Sequence, residues 1–135
     1  MTFPESCIAA AVVSTVMAIS VPSLLRAKDT YALTAAAHDV AAKMQATRIA
    51  AISRDQDCRL TVTSASSYVI ECQPSTTWET VERITVPDHI TVTANARPEF
   101  HRRGNVSPTA AFTVQNAAGK SIQVIVNING RVRLQ

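Results

Sequence analysis

The sequence predicts an α+β fold in which one long N-terminal helix packs on an antiparallel β-sheet head domain, and three observations carry that prediction. Twenty consecutive residues, Ser6 to Leu25, are uncharged and bracketed by Glu5 and Arg26. No Pro or Gly lies between Ser23 and Asp57, a stretch rich in Ala whose apolar residues recur at helical spacing. After Asp57 the apolar period shortens to two, in short runs separated by turn residues. Helix first and strands afterwards, without alternation, is the order of an α+β domain. With 135 residues in all, the chain has room for one globular head of about 110 residues behind its first 25.

At about 1.5 Å per residue, a helix over Ser6–Leu25 is roughly 30 Å long, the thickness of a bilayer's hydrocarbon core. A cleaved secretory signal would carry Lys or Arg ahead of its apolar run, whereas here the preceding residues hold only an acid. A buried core helix rarely runs so far without a charge. The segment therefore reads as a membrane helix, with Glu5 at its boundary. An ionisable group at that depth is costly and marks a functional position. From Arg26 to Asp55 a second helical stretch places Leu33, Ala37, Val40, Met44 and Ala51 on one stripe facing the head's core, and His38, Asp39, Lys43 and Arg48 read as its solvated face. The two stretches should form one helix, with Pro22 as a kink and not a stop. The predicted layout is a membrane or filament-core helix over residues 1–25 and a head over 26–135, itself a helix over 26–55 plus a sheet over 58–135.

Leu60 and Val62, then Tyr68 and Ile70, alternate with polar residues around Ser64-Ala65-Ser66-Ser67, a hairpin pattern. A turn centred on Ala65 sets Leu60 opposite Ile70, Val62 opposite Tyr68, and Cys58 opposite Cys72. A disulfide is geometrically reasonable there. It would contribute about 3 kcal/mol in the chain-entropy model and places the head in an oxidising compartment. Cys7, in the apolar helix, reads as a small hydrophobe. Further strands are expected at 81–86, 90–93, 111–114, 122–128 and 131–134. Because 47% of the residues are hydrophobic but only 4% aromatic, the core must be built mainly from Val, Ile, Leu and Ala.

The function classes narrow by what is missing. His38, His89 and His101 are scattered, no HExxH or CxxC spacing exists, and the three glycines, Gly104, Gly119 and Gly130, each stand in a turn. No catalytic residue, metal or cofactor is expected, and the chain is not read as an enzyme. Charge is more informative. From Arg97 onward six basic side chains face one acid, Glu99, for a net of +5, while the preceding residues carry seven basic and nine acidic groups. Within that basic third, Asn129-Gly130 predicts a two-residue type I′ turn, placing Arg131 opposite Ile128 and Arg133 opposite Val126. Strand alternation puts Arg131 and Arg133 together on an outward face. With Arg102 and Arg103 they form a basic group able to follow a phosphate backbone. Hydration of an exposed strand, or contact with acidic groups on a neighbouring subunit, accounts for the same arginines.

Met1, Thr2 and Glu5, then Pro22-Ser23-Leu24-Leu25-Arg26, resemble the mature amino-terminal segment of type IV pilins and type II secretion pseudopilins. The resemblance implies leader removal, N-methylation at Met1, and assembly through the helix that contains Glu5 and Pro22. It also implies that Glu5 pairs with the amino terminus of a neighbouring subunit, which would set register between chains. The alternative for Glu5 is a carboxylate favoured by its own helix dipole. Phe100-His101-Arg102-Arg103-Gly104, Ala118-Gly119-Lys120 and Asn129-Gly130-Arg131-Val132-Arg133 resemble the head of the GspH/FimT pseudopilins, in whose FimT-type members this ending is associated with binding DNA during natural transformation. The resemblance implies a minor pilin or pseudopilin whose partners are other pilin subunits and, before assembly, the inner membrane. It implies a single-pass topology with the head in the periplasm, then a periplasmic or cell-surface filament. A DNA-binding minor pilin and a major filament subunit are the alternatives.

Overall fold

The computed structural model describes residues 2–135, so the expected modification at Met1 lies outside the described residues. A single helix, α1, runs Phe3–Ser53 and continues through Pro22. It forms over that length because no glycine interrupts it, and Pro4 falls in the first turn, where a missing N–H is not needed. Its end is chemically defined. Asp55 adopts a left-handed φ of 52°, the Gln56 N–H reaches the Ala51 carbonyl at 3.1 Å, and the Asp55 N–H lies 3.4 Å from that of Ile52. These are the two bonds of a Schellman motif, with Asp where Gly is usual.

The chain divides into two compact units, residues 1–32 and 33–135. In the first, the helix is exposed from Phe3 to Tyr31, and an 18-residue window has a mean hydropathy of 2.1. It is long and apolar enough to cross a membrane. Within it, Ser14, Thr15 and Ser20 return their hydroxyls to the carbonyls of Ala10, Ala11 and Val16, each at 2.8 Å, so these polar groups do not stand unsatisfied on an apolar rod.

The second unit holds the core. Leu33, Ala36, Ala37, Val40, Ala41, Met44, Thr47 and Ala51 form the buried stripe of the helix, including all five apolar residues that the spacing assigned to it. Nine strands follow: β1 (Asp57–Ser64), β2 (Ser67–Gln73), β3 (Glu79–Thr85), β4 (Ile90–Ala94), β5 (Glu99–Phe100), β6 (Val106–Ser107), β7 (Ala110–Asn116), β8 (Ser121–Val126) and β9 (Val132–Leu134). They make two antiparallel sheets, ordered β3-β2-β1-β5-β6 and β4-β7-β8-β9, where one sheet over 58–135 was expected. Backbone bonds stitch the sheets together, from the Val92 N–H to Ala65 O at 2.9 Å and from the Val106 N–H to Ile128 O at 2.8 Å. The division was not readable from the strand pattern because both sheets alternate in the same way and send Leu60, Tyr68, Phe112, Val114, Val124 and Val126 into one cluster.

The first hairpin has the expected register, with Cys58 across from Cys72, Leu60 from Ile70 and Val62 from Tyr68. Cys58 and Cys72 are bonded, their Cα atoms 4.0 Å apart, and both are buried. On the opposite face Arg59 Nε donates to Glu71 Oε2 at 2.7 Å and its guanidinium lies 4.1 Å from the centre of the Trp78 ring. Burial works to raise the pKa of Glu71, but hydrogen bonds and charge from Arg59, with help from Thr61 and Arg97, hold it below the usual carboxylate value.

The last hairpin corrects the predicted turn. Val126 pairs with Val132 and Ile125 with Arg133, so the loop has three residues, Ile128, Asn129 and Gly130. Only Gly130 among them has positive φ, at 75°, closing a type I turn with a glycine bulge. The Asn127 side chain accepts the Arg131 N–H at 3.0 Å, which holds the wider loop. The reason for the shift is burial: Val126 is fully buried, and the predicted register would have set Arg133 on its face of the sheet.

Candidate functional site

The residues singled out from sequence fall in both units. In the first unit, Glu5 is an exposed residue in the opening turn of α1. Its Oε2 accepts from the Thr2 N–H and the Thr2 hydroxyl, both at 3.4 Å. Thr2-Phe3-Pro4-Glu5 therefore forms one half of a capping box, in which the third helical residue reaches back to the cap, while the Glu5 N–H donates to the Thr2 carbonyl at 3.1 Å. That signal was present in the sequence as Thr-x-x-Glu. Pro22 lies in the same unit, one turn before Arg26 and within the uncharged stretch.

In the second unit, the helix meets the basic tail through Arg48. This residue was expected on the solvated face. Instead it is half-buried, and its Nε donates to the Gly104 carbonyl at 3.0 Å. Gly104 and Gly130 both have left-handed φ, 87° and 75°. A Cβ on Gly130 would lie 2.5 Å from Gly104 O and 2.7 Å from Arg48 Nε. No side chain fits there. Arg48 thus seats two loops at once, residues 101–105 with Arg102 and Arg103, and residues 127–131 with Arg131. The arginine-bearing ending is placed by a glycine that has a packing reason to be there.

Arg102, Arg103, Arg131 and Arg133 are all exposed. Arg131 lines an open groove of ≈390 Å³ with Gln45, Arg48, Ile49 and Val132. Arg133 borders another, of ≈310 Å³, with Ile125, Asn127 and Leu134. The two arginines share the outward side of the last strand but not one pocket. Such a surface suits an extended polyanion or an acidic protein face better than a small ligand. Phe100 and Phe112 are fully buried, so they are not stacking platforms for bases.

A third cluster has no counterpart in the sequence reading. Asp57, at the start of β1, and Glu99 and His101, in and just after β5, bring their donor atoms within 4.8 Å of one another. His101 Nδ1 is 3.5 Å from Asp57 Oδ1 and 4.0 Å from Glu99 Oε1. The residues are 42 and 44 positions apart in the chain, and only the pairing of β1 with β5 unites them.

Comparisons with known proteins agree with this architecture. Residues 36–130 match the family model described as type II transport protein GspH. No curated protein matches the chain in sequence. Among solved structures, the minor pseudopilin EpsH of the type 2 secretion system of Vibrio cholerae superposes with a TM-score of 0.67 at 12% identity, over 76% of this chain and 95% of that one. The type IV minor pilin FimU of Pseudomonas aeruginosa superposes with a TM-score of 0.63 at 17% identity, over 76% and 92%. At these identities the structural matches speak for the fold.

Proposed function

The chain belongs to the GspH family as a GspH/FimT-like pilin, a structural subunit, and on that premise we propose that it is a minor pilin or pseudopilin held in the inner membrane by residues 1–25 and then packed by the same helix into a filament. The observation that carries this reading is the uncharged helical segment 6–25, exposed along its whole length and led by one acid. Such a rod is equally at home in lipid or in a bundle of similar helices. Glu5 would set register there by meeting the amino terminus of a neighbour, with Met1 as the processed and methylated end, and the head would stand in the periplasm. Glu5→Ala tests the role of the acid. Incorporation into filaments should fall while the membrane-stored subunit accumulates to the same level; unchanged incorporation would leave the carboxylate as a helix cap only.

A second reading, capture of DNA, rests on the exposed Arg131 and Arg133 beside the loop that carries Arg102 and Arg103. These groups would engage phosphates without reading bases, so binding would be salt-sensitive and largely indifferent to sequence.

A further inference from the structure

We propose that Asp57, Glu99 and His101 form a binding site for one divalent transition-metal ion, with Zn²⁺ the species that fits best. The distances support this. Two donors at about 2.0–2.1 Å from a tetrahedral zinc ion lie roughly 3.4 Å apart. The His101 Nδ1 lies 3.5 Å from Asp57 Oδ1, close to that spacing, and 4.0 Å from Glu99 Oε1; with all three donors within 4.8 Å of one another, a small inward turn of the Glu99 side chain completes the set. One imidazole with two carboxylates suits zinc better than calcium or magnesium, which favour oxygen alone. Three protein ligands leave a position for water, and side-chain exposures of 26%, 33% and 31% for Asp57, Glu99 and His101 leave an approach for the ion.

The site stands on a rigid base. The ladder that pairs Cys58 with Phe100 and Arg59 with Glu99 sets Asp57 across from His101 one step further on. All three donors then share one face of the sheet. The alternate residues anchor that face from behind: Cys58 is bonded to Cys72, and Phe100 is fully buried. The Asp57 Oδ1 is oriented by the Arg102 N–H at 3.2 Å. Arg59, the cation that faces Glu99 across the ladder, forms its salt bridge with Glu71 at 2.7 Å and stacks on Trp78. The two carboxylates are thus left to His101, which reaches both at 3.5 and 4.0 Å, and to an ion held with it.

An ion bound here would tie the turn after β5 to the start of β1, and so hold the backbone that presents Arg102 and Arg103. The test uses the full chain in nonionic detergent, stripped with a chelator and titrated with Zn²⁺ by calorimetry, with melting followed in parallel. One ion per chain should bind and raise the melting temperature. Glu99→Gln and His101→Ala should each weaken binding roughly 10-fold or more, the least that ligand loss should cost given what loss of an outer-shell partner costs, while His89→Ala binds as the parent. Glu99→Gln, which conserves shape, carries the decision, and the metal-free melting temperature of each variant separates ligand loss from misfolding. Absence of saturable binding, or binding undiminished in Glu99→Gln and His101→Ala, would overturn the proposal.

Discussion

Gly130 and Gly119 have nearly the same backbone, with φ of 75° and 86°, but different surroundings. A Cβ on Gly119 meets nothing within 4 Å, whereas on Gly130 it strikes the Gly104 carbonyl and Arg48. Gly119→Ala should therefore cost about 1 kcal/mol, the strain of a left-handed residue. Gly130→Ala should cost about 2–4 kcal/mol, because forced displacement of packed atoms is added. Urea unfolding of the two variants measures the difference, and equal losses would mean that Arg48 yields freely. The glycines were legible as turn residues from sequence. Their seat on Arg48 was not, since a charged residue on a helix gives no sign of a partner 56 positions away. The same holds for Asp57 with Glu99 and His101: no local spacing marks a cluster that exists only after two strands pair.

Among elements, the β1–β2 hairpin was the most legible. Alternating apolar residues and two cysteines equidistant from Ala65 each specify the same register, and a slip of one residue would expose every apolar side chain. The bridge closes a loop with a sequence separation of 14. Replacing Cys58 and Cys72 together by Ala should lower stability by about 3 kcal/mol, read as a lower urea midpoint that matches the reduced parent. A midpoint that does not move would show that cross-strand packing alone holds the hairpin. At the other end of the chain the turn was misjudged because Asn-Gly serves both a two-residue type I′ loop and a three-residue loop with a glycine bulge. What decides between them is the pairing of buried Val126 with partly buried Val132 against the core, a tertiary fact. Strands β5 and β6 have two residues each, too few to show any period.

For the molecule as a whole, the chain carries its net positive charge at one end of the sequence, six basic groups against Glu99 from Arg97 onward, and this asymmetry is where DNA capture stands or falls. With the full chain in detergent, Arg131→Gln combined with Arg133→Gln should weaken binding to duplex DNA. It should also make the fall of log K with log salt shallower by about 1.8, the contribution of two phosphate contacts. Binding as tight as the parent's at moderate salt would remove these arginines from any nucleic-acid role. The overall class was legible because helix and strands are segregated along the chain, while the split into two sheets was not, since it depends on which strands pair. Thr2 and Glu5 lead to a last consequence for the proposed assembly. A carboxylate that already has local donors is not left bare when no neighbour is docked, so its transfer to an adjoining chain is an exchange of one set of donors for another. Handover of this kind keeps the barrier to joining or leaving a filament low at the charged point that leads an otherwise uncharged rod.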